Sequence, residues 1–302
     1  MNRKIFLFLF IFFAILIKPL HTEEFGIIQK KEVVVLFENS LEFAAKEVAD
    51  IYPALKKELE KTFKWNFNFR PKVFLIKNSK KFQMITGSNL IVGIAIPKRY
   101  EIIINYSEFN KHPFAIKMTL KHEMCHLLLH HYIRRDNLPK WLDEGICQWI
   151  SGGLGEIIMN RNRPVLSKAI LRGEYISLRY LTNKFPKDKN SLFLAYEESR
   201  SLVEYINSKF GKNGILNILR YMKDGDEVDV AIQKSLLISF EELEKKWHTY
   251  LRKKFTWITY LTYLGNHLYE ILFFLSALLA ICAFIKLLMK KRAYKDGDED
   301  NI

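Results

Sequence analysis

Two histidines four residues apart, with a glutamate directly after the first, form the clearest chemical pattern in the chain: His122-Glu123-Met-Cys-His126. On a helix this spacing is about one turn, so both imidazoles point the same way and can bind one metal ion. Glu123 is then placed to reach a water on that metal and to act as its base. The pattern makes a zinc hydrolase the leading hypothesis.

The residues around this pattern predict the helix that the two histidines need. Apolar side chains recur at helical spacing in 113–121 and again in Leu127–Leu129, and Pro113 suits a first helical turn. The alternative is an amphipathic core helix whose histidines are aligned by chance. That helix would bury an unpaired glutamate at a cost in free energy, which favours the metal site.

A second acidic pattern follows in 139–149, Pro-Lys-Trp-Leu-Asp-Glu-Gly-Ile-Cys-Gln-Trp. Asn137 can cap a helix that Pro139 opens and that Gly152 ends, so we predict a short helix here. This helix holds Glu144 among apolar side chains, where a carboxylate needs a cation. Two histidines and one carboxylate leave the fourth tetrahedral position open for water, as in catalytic rather than structural zinc sites.

Two alternatives for the acidic pair in this helix remain open. Asp143 and Glu144 can form a solvated pair on a surface helix, which is where such residues usually lie. Asp143 is also the rival metal ligand, although we expect it to accept a hydrogen bond from the ring of a ligating histidine.

The patterns in 122–126 and 141–145, His-Glu-x-x-His and Trp-Leu-Asp-Glu-Gly, together resemble those of the gluzincins. Within them the chain is most similar to the peptidase MA-like zinc metallohydrolases, and more distantly to the zinc aminopeptidases. The resemblance extends over roughly residues 110–255. It implies an α+β, zincin-like fold, in which a small mixed β-sheet lobe is followed by a helical lobe.

The resemblance also implies a role for each site residue. His122, His126 and Glu144 would bind one Zn²⁺ ion, and Glu123 would be the general base. A Tyr-x-x-Ser element, similar to one on a later helix of these enzymes, begins at Tyr196, whose phenol would donate a hydrogen bond to the oxyanion. A core tyrosine on an amphipathic helix is the structural alternative for this residue.

One element departs from the zinc aminopeptidases, which carry a glycine-rich strand with a glutamate that reads the free amine of the substrate. The corresponding stretch, 93–105, begins Gly-Ile-Ala-Ile-Pro and has no such element. The resemblance therefore does not extend to aminopeptidase specificity.

The two ends of the chain predict export and membrane attachment. Residues 1–22 combine Arg3 and Lys4 with an apolar run over Ile5–Ile17, which suits a signal peptide, with an uncleaved anchor as the alternative. Residues 257–289 hold a membrane-proximal segment and an apolar stretch that we predict to span the bilayer. An amphipathic helix on the membrane surface is the alternative for this stretch.

The charges after the predicted span indicate its orientation. Lys290, Lys291 and Arg292 follow it directly and mark the cytoplasmic side. Residues 290–302 would then be a cytoplasmic tail. We expect a single-pass membrane protein with its catalytic domain outside the cytoplasm.

Between the two ends we predict an N-terminal α/β lobe over 23–112 and a catalytic helical lobe over 113–256. In the first lobe, strands are expected at 32–37, 72–77, 91–96 and 100–104, the last two as a hairpin, with a helix at 42–63. In the second, helices are expected at 113–131, 139–151, 165–171, 191–210, 213–223 and 239–255. A strand beside the metal cleft would let an extended peptide add to the sheet.

The chain is strongly basic, with a formal net charge of +14, and part of this charge belongs to the two membrane flanks. The stretch 161–190, with eight Lys or Arg against two acids, can line the cleft or face anionic lipid, and a solvated basic loop fits it equally well. No stacking platform or groove-reading motif accompanies the charge, so nucleic-acid binding is not expected.

The three cysteines do not form a metal motif, because none is paired at close spacing. Cys282 belongs to the predicted span. Cys125 and Cys147 lie near the proposed ligands, where the two metal helices should meet, and outside the cytoplasm they can form a disulfide. Two buried thiols that serve as small apolar side chains are the favoured alternative.

These patterns together favour a membrane-anchored zinc metallopeptidase that hydrolyses peptide or protein substrates outside the cytoplasm. One alternative is a zinc hydrolase of a non-peptide substrate. The other is a non-catalytic, tethered binding protein on a peptidase fold. No pattern in the sequence indicates the natural substrate, endopeptidase or exopeptidase action, or the oligomeric state.

Overall fold

The computed structural model describes residues 25–111, 115–134, 136–153 and 165–299. The chain divides into two compact units. The first ends at Ala169 and resumes over Tyr175–Glu244, and the second consists of Ile170–Glu174 and Lys245–Ile302. The predicted signal segment, 1–22, lies outside the described residues.

Five strands form one mixed sheet in the first unit. They are β1 (Phe25–Gln29), β2 (Val34–Glu38), β3 (Lys72–Ile76), β4 (Gly93–Ile96) and β5 (Glu101–Asn105). Their spatial order is β1-β2-β3-β5-β4, with β2, β3 and β5 parallel and with β1 and β4 antiparallel at the two edges. The predicted hairpin is present as β4 and β5, which are joined by the 3₁₀ turn Pro97–Arg99.

Helices make up most of the rest of the described chain. They are α1 (Glu42–Phe63), α2 (Ser79–Thr86), α3 (Ala115–Tyr132), α4 (Lys140–Ser151), α5 (Val165–Arg172), α6 (Leu178–Asn183), α7 (Lys189–Lys223), α8 (Val228–Leu236), α9 (Phe240–Asn266) and α10 (Leu268–Glu299). A mixed-sheet lobe thus precedes a helical lobe, and the predicted α+β, zincin-like fold class is confirmed.

Successive residues of each strand point to opposite faces of the sheet, and both faces are covered by helices. On one face Ile76 packs with Phe82 of α2. On the other, Leu75 and Ile104, which are partners in register, are fully buried, and α1 and α3 contact the sheet. Gly93 is in register with Ile104, so this residue of the edge strand β4 also faces α3.

A close helix crossing fixes α4 in place. Pro139, rather than the predicted Asn137, is the N-cap of α4, and Gly152, with φ 88°, ends it. At Gly145 a Cβ atom would lie 2.4 Å from the backbone oxygen of Ser199 on α7, which is closer than nonbonded atoms approach. Only glycine therefore allows α4 and α7 to pack at this distance.

α7 is interrupted at Gly211, between the two helices that the sequence predicts. Gly211 has φ 69° and ψ 174°, which is not helical, so the run consists of two helices that meet there. Glycine adopts this backbone conformation without the steric cost that a Cβ atom would add. The predicted division between 191–210 and 213–223 is confirmed.

The second unit contains a long apolar segment, which forms most of α10. Residues Leu268–Lys290 have the length and the composition that a membrane span needs. Their apolar side chains are exposed, among them Phe273 and Phe274.

Candidate metal centre

α3 carries three of the predicted site residues with buried side chains: His122, Glu123 and His126. As the one-turn spacing predicts, Nε2 of His122 and Nε2 of His126 approach each other to 3.1 Å. Two imidazole nitrogens that can each bind a metal ion therefore point to the same place.

α4 supplies a carboxylate to the same place. Oε2 of Glu144 lies 3.6 Å from Nε2 of His122 and 3.4 Å from Nε2 of His126. The side chain of Glu144 is almost fully buried, and Oε2 accepts no hydrogen bond from a described residue. The structure thus brings together the three residues that were predicted as ligands.

The distances within this donor set fit a single zinc ion. Zinc holds nitrogen and oxygen donors about 2.0–2.1 Å away in a tetrahedron, which separates the donors by about 3.3 Å. The three donor–donor distances, 3.1, 3.4 and 3.6 Å, lie on either side of that value. Three protein donors leave one tetrahedral position for water or substrate.

Asp143, the rival ligand, lies on the other side of the second histidine. Its Oδ1 is 2.7 Å from Nδ1 of His126, and its Oδ2 is 2.9 Å from Nε2 of His130. An ionised carboxylate only accepts hydrogen bonds, so Nδ1 of His126 carries the proton and Nε2 keeps its lone pair for the metal. This geometry is the one expected of a partner to a ligating histidine.

Charged neighbours set the protonation of this cluster. Nζ of Lys140 donates a hydrogen bond to Oε1 of Glu144 at 2.7 Å. Burial opposes ionisation of Glu144, but Lys140 and the two imidazoles hold its pKa well below the ordinary value. Burial also opposes the charged form of His126, yet Asp143 and Glu144 raise its pKa well above the ordinary value. The cluster therefore needs a cation, either a proton or a metal ion.

A cleft of about 420 Å³ opens onto the cluster. Its lining combines polar residues of the cluster with the edge strand and the turn that follows it: Glu123, His126, His130, Lys140, Asp143, Glu144, Tyr196, Ile91, Ile94, Ala95, Ile96, Pro97 and Lys98. An open groove with a mostly apolar wall and a few convergent polar groups is the usual form of a substrate site.

The space that the Glu123 side chain occupies exists because residue 93 of the edge strand β4 is a glycine. A Cβ atom on Gly93 would lie 2.8 Å from Oε1 of Glu123 and 2.9 Å from Cγ2 of Thr119. Because the Glu123 carboxylate is the flexible partner in this contact, it is the group that a larger residue would displace.

Tyr196 reaches the same cleft from α7, where its side chain is buried. Its ring packs edge-on against Phe185 at a centroid distance of 5.1 Å. Its backbone oxygen accepts a hydrogen bond from Nε2 of Gln148 on α4 at 3.2 Å, which ties the two helices together beside the metal residues.

Two further observations concern residues near the ligands. His130 was not predicted as a site residue, although its spacing of four residues from His126 repeats that of the pair before it. Cys125 and Cys147 are buried free thiols, as the favoured alternative expected, and Sγ of Cys147 lies 3.5 Å from Nδ1 of His126.

Comparison with known protein families identifies the superfamily of this chain. The sequence model described as the peptidase MA superfamily matches residues 71–253, which is more than half of the chain. The chain belongs to the peptidase MA superfamily. The match confirms the predicted resemblance to that family. A search of curated proteins with the sequence of this superfamily member finds no match.

Solved structures that match this superfamily member are only distantly similar to it. They include Legionella pneumophila aminopeptidase A in complex with aspartic acid, at 13% identity and a TM-score of 0.45 over 74% of this chain and 27% of that chain. Yeast LTA4 hydrolase in complex with bestatin matches at 13% identity and a TM-score of 0.45, over 74% of this chain and 37% of that chain. Native yeast LTA4 hydrolase matches at 12% identity and a TM-score of 0.44, over 75% of this chain and 38% of that chain. The chain thus spans well under half the length of each.

A buried acid on α7 holds the segment that leads into α6. Oε1 of Glu198 accepts a hydrogen bond from the backbone N–H of Ile176 at 3.2 Å, and its side chain is buried. Burial, together with the carboxylates of Glu244 and Glu197, raises the pKa of Glu198 to about 8. This side chain is therefore protonated in the folded protein at neutral pH.

The protonation of Glu198 predicts how stability depends on pH. The unfolded chain releases this proton near the ordinary value of 4.5, whereas the folded chain keeps it up to about 8. Stability should therefore fall as pH rises through this window. Glu198→Gln, which stays neutral, should raise the unfolding temperature of the full-length chain, little at pH 5 and more at pH 8.

The control for this prediction is Glu204→Gln on the same helix, where the side chain is exposed and paired with Arg200. It should leave the pH dependence unchanged. A constant difference between Glu198→Gln and the natural chain from pH 5 to pH 8 would contradict the prediction.

Proposed function

We propose that this chain is a membrane-anchored zinc metallopeptidase that hydrolyses peptide bonds outside the cytoplasm. The observation that carries the proposal is the convergence of His122, His126 and Glu144 at donor–donor distances that suit one tetrahedral zinc ion. Membership of the peptidase MA superfamily supports a peptidase, since a metal site alone does not select the reaction.

The chain's own residues can carry the proton movements of peptide hydrolysis. A zinc ion held by His122, His126 and Glu144 would act as a Lewis acid that polarises a carbonyl and promotes the ionisation of water. The carboxylate of Glu123 lines the cleft together with His126 and takes the proton of the attacking water. It then passes this proton to the nitrogen of the leaving amine.

Tyr196 is proposed to stabilise the negative charge that develops on the attacked carbonyl oxygen. Its side chain lines the cleft and is mostly withdrawn from solvent. A phenol that donates a hydrogen bond in such a setting lowers the barrier, because the developing charge interacts strongly with a donor that is already in place.

The edge strand β4 is the proposed docking site for an extended peptide. Among the described strands, β4 pairs only with β5, so no described strand covers its outer edge. Ile94, Ala95 and Ile96 of this strand line the cleft. A peptide that adds to this edge would place its backbone beside Glu123 and the metal residues.

The long apolar helix supports the membrane anchor. Leu268–Lys290 is long and apolar enough to cross a bilayer, and Lys291 and Arg292 follow it. Basic residues after a span favour the cytoplasmic side, which supports the proposal that the catalytic lobe lies on the other side of the membrane.

Glu123→Gln tests the proposed function. In the full-length chain purified in detergent, we expect bound zinc to remain near one ion per chain. Hydrolysis of a quenched fluorescent peptide library should fall by about 100-fold or more, because the amide cannot accept a proton. Zinc is measured by mass spectrometry of the acid-digested protein.

Glu58→Gln is the matched control, because Glu58 is an exposed residue of α1 that pairs with Lys121 on α3, the helix that carries Glu123. This variant should change neither the bound zinc nor the rate of peptide hydrolysis. If Glu123→Gln loses zinc and activity together, Glu123 is structural. If the zinc-loaded natural chain cleaves no peptide, the proposed function is wrong.

Gly93→Ala tests whether catalysis depends on the position of the Glu123 carboxylate. The added methyl group would displace the Glu123 carboxylate, and a shift of about 1 Å at a reacting group can lower kcat by about 100-fold. We expect such a loss of peptide hydrolysis with unchanged zinc content. Gly265→Ala, a helical glycine with open space around it, should keep full activity. Full activity of Gly93→Ala would contradict the assignment of Glu123 as the base.

A further inference from the structure

We infer that His130, one turn beyond His126 on α3, is a positioning residue of the metal centre and acts on His126 through Asp143. The inference rests on the proposed metal site, and it concerns a residue to which neither the sequence patterns nor the superfamily match gives a role.

The first argument is the way in which the two oxygens of Asp143 are shared. Nδ1 of His126 donates to Oδ1 at 2.7 Å, and Nε2 of His130 donates to Oδ2 at 2.9 Å. Asp143 is buried, so these two imidazoles replace the water that would otherwise solvate its carboxylate. The carboxylate cannot rotate without breaking one of the two bonds.

The second argument is what this fixed carboxylate does. Asp143 determines which nitrogen of His126 carries the proton and how the ring is oriented. With the ring in this orientation, Nε2 of His126 lies 3.1 Å from Nε2 of His122 and 3.4 Å from Oε2 of Glu144. His130 therefore contributes to the metal geometry without contacting the metal itself.

The third argument is the cost of removing His130. Without its N–H, Oδ2 of Asp143 would be a buried acceptor with no donor among the described residues, and the carboxylate would turn to find one. Any such turn weakens the bond to His126. His130 lines the cleft, and a water molecule that takes its place would hold Oδ2 less rigidly than a side chain attached to α3 does.

The adjacent residue His131 offers a matched control. Its Nδ1 lies 2.9 Å from the phenol oxygen of Tyr100, and its ring packs against Phe69 at a centroid distance of 4.9 Å. His131 is thus the same residue type on the same helix, but it contacts the aromatic residues of the other lobe rather than Asp143.

The test measures the zinc dissociation constant of the full-length chain in detergent, by competition with a chromophoric chelator. His130→Leu should weaken zinc binding about tenfold, the lower end of the range for residues that support metal ligands. His130→Gln should stay within about threefold of the natural chain, because its amide N–H can reach Asp143 from the position of the imidazole Nε2. His131→Leu should bind zinc as the natural chain does.

Each variant is first checked by thermal unfolding with excess chelator. If His130→Leu does not fold, His130→Asn replaces it, since its shorter side chain places the amide away from Asp143 and should again bind zinc more weakly than His130→Gln. The inference is overturned if His130→Leu binds zinc as tightly as the natural chain, or if His131→Leu loses as much zinc affinity as His130→Leu. It is also overturned if His130→Gln binds zinc as weakly as His130→Leu. Absence of peptide hydrolysis by the zinc-loaded natural chain would instead end the proposed function alone.

Discussion

A buried carboxylate beside two imidazoles is the interaction on which the site depends. Glu144 is almost fully buried and stays ionised, and the cost of burying its charge is offset only by groups that approach it closely. Lys140 occupies one of its oxygens, and the other faces His122 and His126. The helices that carry these residues must therefore keep their spacing, which the contact at Gly145 and the hydrogen bonds of Asp143 both enforce.

The parts of the site that follow from helical geometry were predictable from the sequence. The four-residue spacing of His122 and His126 places them on one side of any helix. The position of Glu144 between Trp141 and Trp149 indicates a buried acid with a cationic partner. The same local rules gave the bounds of α1 and the division of α7 into 191–210 and 213–223, because hydrophobic periodicity needs no tertiary information.

The parts that depend on how elements cross were not predictable. His130 contacts Asp143 only because α3 and α4 pack at one particular register. The role of Gly93 depends on the position of β4 at the sheet edge above α3. The short elements β1, α2, α6 and α8 were missed, since a few turns or one short strand with mixed polarity produce a weak periodic signal.

The most direct test of the central claim is X-ray absorption spectroscopy at the zinc edge of the full-length chain purified in detergent. This account predicts one zinc ion per chain, with only nitrogen and oxygen ligands at about 2.0–2.2 Å and with the outer-shell scattering of two imidazoles. A sulfur ligand at about 2.3 Å, which would come from Cys125 or Cys147, or a folded chain that binds no zinc, would contradict it.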